Sequence, residues 1–269
     1  TDSIVELIKK GVVDNSMKNV DKGKTVASFC MGMADTYRFI DDNPLFEFQP
    51  MDYTNDPLVI ARINNMTAIN SALQVDLTGQ ASAESIGTTF YSGIGGSADF
   101  MRGAVLAPGG KTILVLQTTA RDGDISRIVP FLDTGAGVTL NRGDIHYIVT
   151  EYGIAYIHGK NIRERAMDII AIAHPQFRPW LIEEARKYNL IYKDQAFIPG
   201  KKGEYPEHLE TYRTTKTGLN ILLRPSRIND ECLIKDLFYS LSDQSLKKRF
   251  MSQRKDVPHK IRQEFVAID

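Results

Sequence analysis

The sequence predicts an α/β protein with an open, mostly parallel sheet flanked by helices over residues 1–193, followed by a shorter α+β unit. Three observations predict it. The run Thr112-Ile113-Leu114-Val115-Leu116 sets five apolar or β-branched residues in succession, which suits a strand covered on both faces of a parallel sheet. Helical and strand patterns alternate on either side of that run. Between a short β-prone stretch and an amphipathic helix lies Ser92-Gly93-Ile94-Gly95-Gly96, where glycine allows a tight turn.

In chain order, Ile4, Val5, Leu7, Ile8 and Val12 share one helical face, with Asp2 or Ser3 able to cap it. The chain opens at Thr1, already inside this pattern, and reads as the interior of a longer protein. A strand is expected over 25–29, a helix over 34–40 and a strand over 45–49. At Asn55-Asp56-Pro57 proline pre-sets the backbone for a helix start. Strands over 68–73 and 74–77 precede the turn Thr78-Gly79-Gln80, and a helix over 98–106 follows the glycine loop. Beyond the central run come strands over 125–131, 145–150 and 154–157, then helices over 162–173, stopped by Pro175, and 177–188. Composition shifts at Asp194. Residues 194–218, with Gly200, Lys201, Lys202, Gly203 and Pro206, read as a linker or tail. A new unit over 219–269 offers a strand at 219–225 and helices at 230–241 and 258–266, a marginal core for independent folding.

The balance of 33 basic and 33 acidic residues in 269 leaves no global field to recruit nucleic acid or an anionic membrane. An anion site must therefore be local. The two cysteines, Cys30 and Cys232, follow no metal spacing and fit a reducing cytoplasm. No apolar run approaches the ~20 residues that cross a bilayer. His146, His158 and His174 lack metal-ligand spacing and read as structural or surface groups.

The glycine loop is the first candidate site. Glycine lets the backbone approach a ligand closely, and a helix N-terminus offers amide hydrogens and partial positive charge to a phosphate or an oxyanion. Arg121, in the polar loop Thr118-Thr119-Ala120-Arg121-Asp122-Gly123-Asp124, is the basic residue at the end of the central strand, where ligands of open α/β sheets bind. Glu151 could act as a base, but no histidine or nucleophile adjoins it in sequence, and it reads as a turn or salt-bridge residue.

Taken together, Asn55-Asp56-Pro57, Ile69-Asn70-Ser71-Ala72, Asp76-Leu77-Thr78-Gly79, Ser92 to Phe100, Ser126-Arg127-Ile128-Val129-Pro130, Val149-Thr150-Glu151-Tyr152-Gly153 and Ala173-His174-Pro175 resemble the acetyl-CoA hydrolase/transferase family. That group of family I CoA-transferases includes acetate and 4-hydroxybutyrate CoA-transferases. The resemblance runs from Thr1 to about Tyr192, with Ala98 where many relatives carry glycine. It implies transfer of CoA between an acyl-CoA and a small carboxylate through a glutamyl-CoA thioester. Coenzyme A and acyl-CoA are then substrates, and no cofactor is permanently bound. The nucleophilic glutamate would lie upstream of Thr1, so the chain would be the C-terminal half, inactive alone and dependent on the missing N-terminal half. The resemblance assigns Gly95 and Gly96 as backbone donors to the thioester oxygen. It puts Ser92, Gly96 and Arg121 on CoA, Arg121 standing where relatives carry lysine. Residues 219–269, through Ile221-Leu222-Leu223-Arg224-Pro225-Ser226-Arg227, Leu241-Ser242 and Arg249-Phe250, resemble the opening of a GNAT-superfamily acetyltransferase domain without its pyrophosphate loop.

Other readings stay open. Transferase and acetyl-CoA hydrolase differ only in whether a carboxylate or water takes the acyl group. Gly93-x-Gly95-x-x-Ala98 also satisfies a dinucleotide fingerprint, and Arg121 would suit the 2′-phosphate of NADP in an oxidoreductase. A non-catalytic CoA-binding module is the third alternative, and a homo-oligomer is compatible with all of them.

Overall fold

The computed structural model describes residues 2–195, 209–226, 230–250 and 256–266. The first elements are α1 (Asp2–Lys9), β1 (Thr25–Ala27), α2 (Ala34–Ile40), β2 (Phe46–Phe48), α3 (Met51–Thr54), α4 (Pro57–Ile60), β3 (Thr67–Ser71) and β4 (Gln74–Asp76). The middle of the chain forms β5 (Ala81–Ser82), β6 (Ser85–Ile86), β7 (Thr89–Phe90), α5 (Ser97–Leu106), β8 (Lys111–Val115), β9 (Thr119–Ala120), β10 (Ile125–Ser126), β11 (Ile128–Val129), β12 (Tyr147–Thr150) and β13 (Gly153–Tyr156). Then follow α6 (Ile162–Ala171), α7 (Arg178–Lys187), β14 (Thr211–Thr214), β15 (Asn220–Leu223), α8 (Glu231–Ser240), α9 (Asp243–Phe250) and α10 (His259–Val266). The whole is a mixed α/β protein with several small sheets.

Contacts divide the chain into two compact units, the first made of Thr1–Val75, Gln80–Leu116 and Leu132–Val149, the second of Asp76–Gly79, Gln117–Phe131 and Thr150–Asp269. In the first unit β8 is the central strand of a parallel ladder, with Ile69 of β3 and Tyr147 of β12 both opposite Ile113. Helix α5 packs on β3 and β8 and against α4. Ile60, Met101, Ala104, Leu114 and Ile148 are all essentially inaccessible there. Each large aliphatic side chain buried in this way contributes about 1.5–3 kcal/mol. The parallel part is smaller than the sequence predicts. β1 and β2 form a separate parallel pair, while β4–β5 and β6–β7 are antiparallel. The central run also differs from expectation, because β8 buries Thr112 and Leu114 on one face and leaves Val115 exposed on the other. The alternation of a strand outweighs the continuous apolar pattern.

In the second unit α6 begins with a capping box. Asn161 Oδ1 accepts from the Glu164 amide at 3.0 Å, and Glu164 Oε2 accepts from the Asn161 amide at 3.1 Å. Such caps contribute about 1 kcal/mol. Helices α6 and α7 bury Ala166, Ile169, Ile170, Leu181 and Ile182. At the start of α8 the buried Glu231 carboxylate accepts from Arg163 at 3.1 Å and Arg262 at 3.1 Å and pairs with His259 at 2.8 Å. Burial alone would raise its pKa, but these partners hold it below the ordinary glutamate range.

Where a linker or tail is expected, Thr211–Thr214 pairs antiparallel with Asn220–Leu223, closed by a turn with Gly218 at φ +83°. The β-prone Thr-Tyr-Arg-Thr run becomes a strand once its partner is beside it. Residues 196–208 of the expected linker lie outside the described residues, as do Arg227 and the side chains of Arg249 and Phe250.

Candidate functional site

The glycine loop grows out of the β6–β7 hairpin of the first unit, in which Ser85 faces Phe90 and Ile86 faces Thr89. The Glu84 carbonyl accepts from the amides of Tyr91 at 2.8 Å and Ser92 at 3.3 Å, and so fixes the chain entering the loop. Ser92 Oγ donates to the Gly93 carbonyl at 2.9 Å. Gly95 then takes φ +61°, which an L side chain adopts at a cost, and nothing lies within 4 Å of where its Cβ would stand. Gly96 has ordinary backbone, φ −95°, and is glycine for a different reason. A Cβ there would overlap the side-chain amide nitrogen of Asn55.

Helix α5 starts directly after Gly96. The first amides of any helix lack intrahelical acceptors, and among the described residues the N-cap position, Gly96, offers no side chain to cap these. Seven residues on, a Cβ at Gly103 would come within 2.5 Å of the Ile60 side chain and 3.2 Å of the Pro57 carbonyl. Two glycines thus let α5 sit close to the Asn55-Asp56-Pro57 segment. That segment is itself rigid, since Asp56 Oδ1 accepts from the Leu58 amide at 2.8 Å and Pro57 opens α4, as the sequence predicts. Uncapped donors beside a backbone free of side chains suit a phosphate or a developing oxyanion.

The dinucleotide fingerprint normally follows a strand of a parallel sheet and opens a βαβ unit. Here the strand before the glycines is β7, half of a two-stranded antiparallel hairpin. The local geometry therefore departs from that alternative.

Arg121 lies in the second unit, at the crown of an arch between β9 and β10, where Thr119 faces Ser126 and Ala120 faces Ile125. Both Arg121 (φ +50°) and Asp122 (φ +54°) are left-handed, followed by Gly123 at φ +102°. The arch is anchored from outside. At its root, fully buried Thr118 donates its amide to both Glu151 carboxylate oxygens at 3.0 Å and its hydroxyl to Oε1 at 2.5 Å. At its crown, Gln176 Nε2 donates to the Gly123 carbonyl at 3.0 Å. Partial burial by itself would raise the Glu151 pKa, but the Thr118 donors outweigh it and the carboxyl sits below its ordinary range.

Glu151 is thus neither a base paired with histidine nor half of a salt bridge with arginine or lysine among the described residues; its donors are a neutral hydroxyl and amide. His174 serves structure, as the sequence predicts. Its Nδ1 accepts from the Gln176 amide at 3.3 Å, and its ring meets Tyr152 edge-on at 5.3 Å. The sequence reading missed Thr118 and Gln176. Their partners stand 33 and 53 residues away, although Thr118 and Glu151 each follow within three residues of the level pair Val115 and Val149. Of the predicted site residues, Ser92, Gly95 and Gly96 share one loop of the first unit, while Arg121 belongs to the second. Among the described residues no group of three or more His, Cys, Asp and Glu could hold a metal, and no helix is long and apolar enough to cross a membrane.

Residues 32–185 match the profile of the acetyl-CoA hydrolase/transferase C-terminal domain, more than half of the chain. The chain belongs to that family. It is 49% identical over 187 residues to the 4-hydroxybutyrate coenzyme A transferase of Clostridium kluyveri, covering 70% of this chain and 44% of that protein. It is 47% identical over 191 residues to the succinyl-CoA:cyclohexane-1-carboxylate CoA transferase of Geobacter metallireducens, covering 71% and 44%. The crystal structure of RipA from Yersinia pestis superposes with a TM-score of 0.66 at 43% identity, covering 70% of this chain and 42% of that one. The chain therefore spans less than half the length of the relatives it matches. Both candidate loops and Glu151 lie inside the family match, while the β14–β15 hairpin and α8 to α10 lie outside it.

Proposed function

We propose that the chain is part of a CoA-transferase that moves CoA between an acyl-CoA thioester and a small carboxylate of the acetate or 4-hydroxybutyrate class. The observation that carries this reading is the uncapped N-terminus of α5 behind Gly95 and Gly96, inside the span matched to the acetyl-CoA hydrolase/transferase family. The Gly95 and Gly96 region would donate amides to the thioester oxygen as it becomes an oxyanion, and Ser92 and Arg121 would contact CoA. A glutamate from a part of the enzyme outside this sequence would attack the thioester carbonyl and expel CoA thiolate, giving a mixed anhydride. The thiolate would then attack the glutamyl carbonyl, releasing the acyl carboxylate and leaving glutamyl-CoA. An acceptor carboxylate reverses the two steps. Water in place of the acceptor would make the enzyme an acetyl-CoA hydrolase.

We further propose residues 1–193 as the transferase domain, 194–218 as the connection and 219–269 as the opening of a GNAT-like acetyltransferase domain. The strand β15 followed by α8 and α9 supports the last assignment. Two free thiols are in keeping with a reducing, cytoplasmic setting.

A thermal-shift titration of this chain with CoA, acetyl-CoA and NADPH tests the reading. Ligand at ~100 times its dissociation constant stabilises the folded state by about 2.7 kcal/mol. The expected result is a shift with the CoA compounds that weakens in Arg121→Ala. A shift with NADPH alone would overturn the assignment. In the intact enzyme, product analysis with and without an acceptor carboxylate separates transferase from hydrolase.

A further inference from the structure

We infer that Glu151 is a positioning residue, holding Arg121 in place by anchoring Thr118 at the root of the β9–β10 arch. The inference rests on the CoA-transferase reading for what Arg121 meets, and on the arch alone for how Arg121 is held.

The arch carries its basic residue in a conformation that the local chain does not favour. Left-handed backbone is costly for residues with a Cβ, and Arg121 and Asp122 adopt it in succession. Such a pair persists only when its surroundings over-determine it. Within the arch the restraints are few. The Arg127 amide donates to the Thr118 carbonyl at 2.8 Å, two facing pairs follow, and the Asp124 amide donates to the Arg121 carbonyl at 3.1 Å. Arg121 itself is exposed, so no packing fixes it.

The outside anchors make up the difference, and Glu151 is the stronger. A carboxylate accepting three bonds from one residue fixes both the backbone and the rotamer of Thr118. Thr118 has no access to water, so an amide or hydroxyl released by Glu151 finds no replacement in solvent. Glutamine at position 151 offers one acceptor oxygen and turns a donor amide toward the Thr118 donors. One of them is then left unsatisfied, and the root of the arch loosens three residues before Arg121. The ring of Tyr152, next to Glu151, meets His174 edge-on at 5.3 Å, and Gln176 of the His174 turn reaches the crown. Root and crown are thereby tied to neighbouring points in the second unit.

The experiment uses the intact transferase and two readouts. Amide hydrogen exchange across residues 118–126 reports the arch without reference to any ligand. Steady-state kinetics report KM for acyl-CoA and kcat separately. In Glu151→Gln, exchange in the arch should accelerate and KM should rise about tenfold, the loss of roughly one charge-assisted hydrogen bond, with a smaller change in kcat. Thr118→Val should act in the same direction, and Thr118→Ser, which keeps both donors, should return KM toward the wild-type value. Adding Glu151→Gln to Arg121→Ala should raise KM no further, because both changes remove one contact.

Unchanged exchange in Glu151→Gln overturns the inference, and so does a double variant in which the two KM effects multiply in full. Failure of the functional reading looks different. Arg121→Ala would leave KM unchanged, and accelerated exchange in Glu151→Gln would still establish that Glu151 holds the arch.

Discussion

The two candidate loops hold the groups proposed to meet CoA in opposite ways. The loop at Ser92 to Gly96 uses backbone, and its requirements are written in glycine. Gly95 supplies a left-handed turn in open space, and Gly96 supplies room for Asn55. The arch at Thr118 to Arg127 uses a side chain, places Arg121 and Asp122 in left-handed backbone without glycine, and borrows rigidity from Glu151 and Gln176. The first loop is defined by what it leaves out. The second is defined by partners far away in sequence. Mutations should therefore act on the first by filling space and on the second by cutting tethers.

The largest expected effect separates the two glycines. In the intact enzyme proposed above, Gly96→Ala should lower kcat by up to about 100-fold, short of the full loss of an oxyanion donor, because the new Cβ displaces the Asn55 side-chain amide from beside the start of α5. Asn55→Gly in that background should restore much of kcat, since Gly96 carries no backbone strain for the added methyl to aggravate. Gly95→Ala should cost less, about tenfold, reflecting ~1–2 kcal/mol of left-handed strain with no clash, and Asn55→Gly should not relieve it. Relief of both variants by Asn55→Gly would show that the two glycines share one steric role.

How much of this was legible in the sequence follows the same division. The glycine loop, the helix start at Pro57 and the strand at Thr112 to Val115 are readable, because each depends on residues within a few positions of one another. The exposed face of β8 is not, since an apolar run does not say which side is covered. The strand at Thr211 to Thr214 reads as linker because it follows a Gly-, Pro- and charge-rich stretch, and only pairing with Asn220 to Leu223 distinguishes it. The Glu231 cluster joins Arg163 on α6 to Arg262 on α10, 99 positions later, and no local pattern announces such a meeting. Glu151 stands out as a residue type, but its sequence neighbours do not identify its partner, which comes from beyond the end of a different strand.

Acid offers a second way to separate the loops. Glu151 titrates below its ordinary range in the folded protein, so its contribution is fully present above the unfolded glutamate value of about 4.3 and is lost as pH falls through the lower folded pKa. Exchange across 118–126, corrected for the intrinsic pH dependence of amides, should therefore accelerate below about pH 4. Exchange across 92–97 should respond less, because among the described residues no carboxylate anchors that loop: its entry is held by the Glu84 carbonyl, a backbone group. Equal acceleration in both loops would mean that acid acts on the fold as a whole and would remove the distinction. In Glu151→Gln the acid response of the arch should disappear, since its titrating anchor is already gone.

The smallest effect concerns the crown of the arch. Gln176 donates one neutral hydrogen bond, from an exposed side chain, to the Gly123 carbonyl. A bond of that kind is worth about 0.5–1.5 kcal/mol, and water can replace it at the surface, which places Gln176→Ala at the lower end. Exchange at Gly123 and Asp124 should rise no more than about threefold while the root at Thr118 stays protected, and KM for acyl-CoA should rise by a similar factor. The hierarchy is physical rather than positional. Glu151 holds a buried amide and hydroxyl that have no other acceptor among the described residues, whereas Gln176 holds a carbonyl that solvent can reach. If Gln176→Ala loosened the arch as much as Glu151→Gln, rigidity would come from the crown, and the left-handed pair at Arg121 and Asp122 would be held from above instead of from its root.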